Sequence, residues 1–158
     1  MSLVFTADEI YEMAERIESN GADFYRAAAK GGHTAEHRHM LNQLADMEDE
    51  HEQTFKSMRT ELSSGDRESR TFDPEGQQAQ YLRALADTRI FFEKEVDTTS
   101  MEEILKSAIA DEKDSILFYL GLKEVVASPS GQDKVDRIMR EEMQHVRLLS
   151  QDLLALQE

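Results

Sequence analysis

Two Glu-x-x-His tetrads, Glu48 to His51 and Glu142 to His145, are the residues of this chain best suited to chemistry, and each follows a further glutamate at the same distance (18 to 48, 112 to 142). The two sets repeat at one offset: Glu18, Phe24, Tyr25, Glu48 and His51 recur as Glu112, Phe118, Tyr119, Glu142 and His145, and Ile10 recurs as Ile104. On a helix, the i, i+3 spacing of Glu48 with His51 and of Glu142 with His145 places both groups on one face, where one metal ion can take both. Two helices giving a lone glutamate and two giving Glu-x-x-His make the ligand set of a two-metal carboxylate site inside a four-helix bundle. Glu18 and Glu112 are then terminal ligands, and Glu48 and Glu142 the bridging pair.

The glutamates fall where a core is expected. Interior stripes of bundle helices advance by alternating steps of three and four residues. Such stripes read Tyr11, Ala14, Glu18, Gly21, Tyr25, Ala28; Leu41, Leu44, Glu48, His51, Phe55, Met58, Leu62; Leu105, Ala108, Glu112, Ser115, Tyr119, Leu122, Val126; and Val135, Ile138, Glu142, His145, Leu149. An unpartnered core carboxylate costs several kcal/mol, so four together require countercharge. Two divalent cations cancel the four negative charges. Oxygen and imidazole ligands without sulfur suit iron or manganese, and zinc less comfortably. Two redox metals side by side supply the two electrons that reduce O₂ or peroxide. Tyr25 and Tyr119 lie two turns beyond Glu18 and Glu112 on the same face, where they either contact the site or simply pack. His33, His37 and His39, at the start of the second helix, read as exposed surface. Asp49, Glu50, Glu52 and Glu141 read as solvated faces, and the methionines as core filler.

The elements that position these residues are helices. Thr6 with Glu9 forms a capping box opening a helix that runs to Gly31-Gly32. A second helix starts near Thr34 or Ala35 and continues to about Ser63. Ser100 with Glu103 opens a third through about Ala127, and Ser128-Pro129-Ser130-Gly131 reads as a break before a fourth. The connection over 64–100 has a polar first part, Gly65 to Gly76, and a second part, Gln77 to about Val96, whose Tyr81, Leu82, Leu85, Ile90, Phe91 and Phe92 predict an additional helix. The fold class is therefore all-α: one domain over 1–158, a ferritin-like four-helix bundle of helix pairs 6–63 and 100–157 joined by one long crossover.

Composition narrows the partners. A net charge of −15 excludes the basic face that nucleic acid or an anionic membrane requires. No signal-peptide pattern or membrane-length apolar run is present, so a cytoplasmic location is expected. The absence of cysteine removes disulfides, thiolate metal sites and a catalytic thiol.

At Glu18 to Tyr25, Met47 to His51, Glu112 to Tyr119 and Glu141 to His145 the chain resembles the rubrerythrin-like branch of the ferritin-like superfamily. The resemblance covers essentially the whole chain. It implies a non-haem di-iron centre held by Glu18, Glu48, His51, Glu112, Glu142 and His145, in a homodimer or larger assembly. The implied activity is ferroxidase or peroxidase, with O₂ or peroxide as oxidant. Full-length rubrerythrins add a four-cysteine rubredoxin domain, so here a separate electron donor is expected. They also carry another glutamate one turn from the third-helix ligand, where this chain has Ile109 and Ser115. That departure leaves two other readings: a non-catalytic iron-binding, storage or delivery protein, and a helical interaction module with a vestigial site.

Overall fold

The computed structural model describes residues 6–62, 80–82, 84–85, 96–126 and 128–158. Among the described residues four long helices build the fold: α1 (Ala7–Ala29), α2 (Ala35–Thr60), α3 (Met101–Val125) and α4 (Pro129–Leu156). Each begins where a hydroxyl can accept a backbone N–H that the first helical turn leaves unpaired. Thr6 opens α1 in a reciprocal box with Glu9, Thr34 accepts from His37, Ser100 from Glu103, and Ser128 from Gly131. The predicted break at 128–131 is thus a helix start. Ser128 is the cap and Pro129 the first helical residue, where a missing N–H costs nothing. α2 and α3 end slightly short of the expected Ser63 and Ala127.

Short turns fold α1 back on α2 and α3 back on α4, giving two antiparallel pairs that meet through α1 against α3 and α2 against α4. This is the ferritin-like arrangement, and its core runs the length of the bundle. Nearly every position in the four stripes is buried; Leu62 is half-buried. In the crossover, residues 80–82 and 84–85 are helical and Leu82 is fully buried in the bundle core. The polar loop expected before them, and the remainder of the expected additional helix up to residue 95, lie outside the described residues. No helix among the described residues is long and apolar enough to cross a membrane.

The α1–α2 turn is seated on the segment that leads into α3. His33 is half-buried rather than exposed, with Nε2 2.7 Å from the Thr98 carbonyl oxygen. Gly32 turns the chain at φ 84°, in the left-handed region that favours glycine. A Cβ on Gly31 would lie 1.9 Å from the same Thr98 oxygen, so backbone meets backbone there. Gly31→Ala should cost about 1–3 kcal/mol, the usual range for overpacking. A urea midpoint unchanged from that of the parent protein would contradict this seating.

Candidate metal centre

The four stripes bring Glu18, Glu48, His51, Glu112, Glu142 and His145 together in the middle of the bundle, none of them more than 3% exposed. They form two overlapping groups, Glu18, Glu48, His51, Glu142 and Glu48, Glu112, Glu142, His145, and within each group one ligand atom per residue lies within 4.8 Å of the others. Glu48 and Glu142 belong to both groups. Both imidazoles turn Nδ1 inward. His51 Nδ1 lies 2.9 Å from Glu142 Oε1 and 3.4 Å from Glu18 Oε2. His145 Nδ1 lies 3.2 Å from Glu142 Oε2, 3.4 Å from Glu48 Oε1 and 3.5 Å from Glu112 Oε1. The rings are nearly parallel, with centroids 6.0 Å apart.

Four carboxylates in a dry interior perturb one another strongly. Burial, then repulsion from the other glutamates, pushes the Glu48 and Glu142 carboxyls well above the ordinary range. Burial disfavours charge on the histidines too, yet the adjacent carboxylates prevail and hold His51 up to about 11 and His145 up to about 10. Glu112 moves the other way: burial raises it, but contacts with Glu142, His145 and Tyr25 outweigh that and lower it. Glu18 Oε2, Glu48 Oε1, Glu112 Oε2, Glu142 Oε1 and His51 Nδ1 are buried with no hydrogen-bond partner. Unpaired buried acceptors are rare because each costs about 1–3 kcal/mol or more when charged. A converging set of them, all oxygen or imidazole nitrogen, fits a pair of hard or borderline divalent cations.

The surrounding shell holds three features that the helical stripes do not reveal. Tyr25 donates to Glu112 Oε1 at 2.6 Å, and Tyr119 donates to Glu18 Oε1, so each tyrosine crosses from its own helix to the lone glutamate of the other pair. The tyrosines therefore contact the cluster, and burial lifts both phenols well above their usual range, keeping them protonated donors. Tyr25→Phe or Tyr119→Phe should each destabilise the metal-free protein by about 1–3 kcal/mol by leaving a buried carboxylate oxygen unpaired; equal denaturation curves would refute these bonds. Glu141, expected on a solvated face, is instead half-buried, and its Oε2 accepts from His51 Nε2 at 2.6 Å. Met47 brings Sδ within 3.3 Å of His145 Nε2, so it is more than core filler. Asp111 is buried beside Glu112. Ser115 is buried, but its Oγ donates to the Asp111 carbonyl oxygen of its own helix.

A helix bundle of this topology, with two carboxylate–imidazole groups sharing two glutamates at its centre, defines the class of ferritin-like di-metal carboxylate proteins. The rubrerythrin family model matches residues 9–151, and the chain belongs to the rubrerythrin family. Among solved structures it is similar to a ferritin-like diiron-carboxylate protein from Thermotoga maritima, with a TM-score of 0.71 and 25% identity. The alignment covers 94% of this chain and 95% of that one. No curated protein matches the sequence significantly.

Proposed function

We propose that the chain is a non-haem di-iron oxidoreductase that oxidises Fe(II) with peroxide or O₂, holding two iron ions between Glu18, Glu48, His51, Glu112, Glu142 and His145. The observation that carries this reading is the membership of Glu48 and Glu142 in both ligand groups, which makes one cluster into two adjacent sites. Held by these residues, a pair of ferrous ions would supply the two electrons needed to convert one peroxide, with two protons, into two waters. Glu18 and Glu112, oriented by the phenols of Tyr119 and Tyr25, would each help to hold one ion. Glu48 and Glu142, which belong to both groups, would contribute to both positions. Buried stripes above and below the cluster keep bulk water out and strengthen every charge contact inside it.

Anaerobic loading with Fe(II), followed by peroxide or air, tests this reading. The near-ultraviolet absorbance of ferric ion should rise faster than for free iron and saturate at two irons per chain. Absence of accelerated oxidation at two equivalents would overturn the catalytic role.

Ser115 favours a second reading, in which the chain binds and delivers iron without turnover. One turn to either side of Glu112 the chain has Ile109 and Ser115, neither of them a carboxylate, and the Ser115 hydroxyl is engaged by its own helix, so neither adds a ligand to a changing set. Uptake that stops at two irons without oxidation supports delivery. Uptake far beyond two, in a hollow oligomer, supports storage.

A further inference from the structure

The two halves of the cluster repeat each other in their ligands but not in what stands behind their imidazoles. Met47 and Glu141 occupy the same place in the repeat, each one residue before the bridging glutamate of its helix. Each reaches across to the Nε2 of the other helix's histidine. Glu141 Oε2 accepts from His51 at 2.6 Å, whereas Met47 Sδ stands 3.3 Å from His145. One imidazole is therefore backed by an anion, and the other by a weakly accepting thioether.

We infer that Glu141 is a positioning residue that makes the two metal positions unequal, so that the position using His51 fills first and holds its ion more tightly than the position using His145. The inference rests on the two-metal reading above. A carboxylate cannot donate, so its bond to Nε2 keeps a proton on that nitrogen, and Nδ1, which faces Glu18 and Glu142, is the nitrogen that gives up its proton to a cation. Drawing the Nε2 proton toward an anion also increases the electron density that Nδ1 can give a cation, and it holds the ring against rotation. A thioether does little of either. Removing such an outer partner typically lowers metal affinity about 10–100-fold. The inward surroundings do not supply this difference: His51 Nδ1 faces Glu18 and Glu142, whereas His145 Nδ1 faces Glu112, Glu142 and Glu48, so the additional carboxylate lies on the His145 side and acts against the inferred order.

The assignment has a reciprocal test, since the asymmetry can be removed from one side or filled in on the other. Stepwise Mn(II) affinities of the full chain, measured anaerobically by titration calorimetry with chelator competition, separate the two positions without requiring turnover. Glu141→Met should weaken the first binding step about 10–100-fold and leave the second nearly unchanged. Met47→Glu should strengthen the second step by a similar factor and leave the first nearly unchanged. The unaltered step within each variant reports that the bundle is still folded. If Glu141→Met weakens both steps equally, weakens only the second, or changes neither, the inference is overturned while the two-metal reading stands. If the parent chain binds no Mn(II), both fall together.

Discussion

Adding two equivalents of Mn(II) or Fe(II) to the metal-free protein should raise its thermal midpoint by about 10–20 °C, and a chelator should return it. Ligand at about 100 times its dissociation constant stabilises by about 2.7 kcal/mol per site, and a chain of this size gains about 2–4 °C per kcal/mol. The effect should be large because metal-free folding leaves several buried acceptors unpaired and forces four carboxylates together. The pH dependence of the two forms should have opposite signs. His51 and His145 are raised in the folded protein to about 11 and about 10. Their contribution to metal-free stability is therefore complete below the ordinary histidine range, near 6.5, and is lost as pH climbs through the folded values. The slope is at most about 1.4 kcal/mol per pH unit for each retained proton. The raised Glu48 and Glu142 act in the same direction from a lower starting pH, and the lowered Glu112 acts against them only on acidification. Metal binding requires those protons to leave, so metal affinity for the pair should rise about 100-fold per pH unit when two imidazolium protons are displaced. Calorimetry in buffers of different ionisation enthalpy measures the proton release directly. No release, together with no rise in midpoint, would mean that cations do not neutralise this cluster.

Replacing a shared carboxylate should cost both metal ions, and replacing a terminal one should cost a single ion. Glu48 and Glu142 each belong to both ligand groups, whereas Glu18 and Glu112 each belong to one. Glu48→Met or Glu142→Met should reduce bound metal from two per chain to none, and Glu18→Met or Glu112→Met should reduce it from two to one. The shared-carboxylate variants should nevertheless unfold at equal or higher denaturant concentration without metal. Exchanging a buried charge for an apolar side chain of similar volume is often neutral or stabilising by about 1–4 kcal/mol. Loss of function with gained stability distinguishes a binding site from a structural charge network. Elemental analysis after desalting supplies the stoichiometry, and a shared-carboxylate variant that retains one tightly bound ion would contradict the overlap.

The bundle and the six residues clustered at its centre were legible in the sequence because both follow from helical period. Once Leu44, Glu48, His51 and Phe55 share a face, burying the leucine and phenylalanine carries the glutamate and histidine inside with them. The 94-residue repeat extends that reasoning to the second pair. Local chemistry also marked the helix starts at Thr6, Thr34 and Ser100, since a capping hydroxyl acts within one turn. At Ser128 the same chemistry was present, but Pro129 and Gly131 read as a break when they form the first turn of α4. His33 was read as surface because its partner, the Thr98 carbonyl, is supplied by a segment 65 positions away.

By itself, the sequence determined the all-α architecture, the pairing of helices and which side chains meet at the centre, because periodicity and capping are properties of single helices. Only the tertiary structure decided what touches those side chains from across the bundle. Glu141 and Met47 sit one residue off the interior stripe, where along their own helices Glu141 reads as solvent-facing and Met47 as core filler. The axial offset and rotation of α2 against α4 turn that same position toward the opposing imidazole, and both are set by packing of whole helices rather than by any local signal.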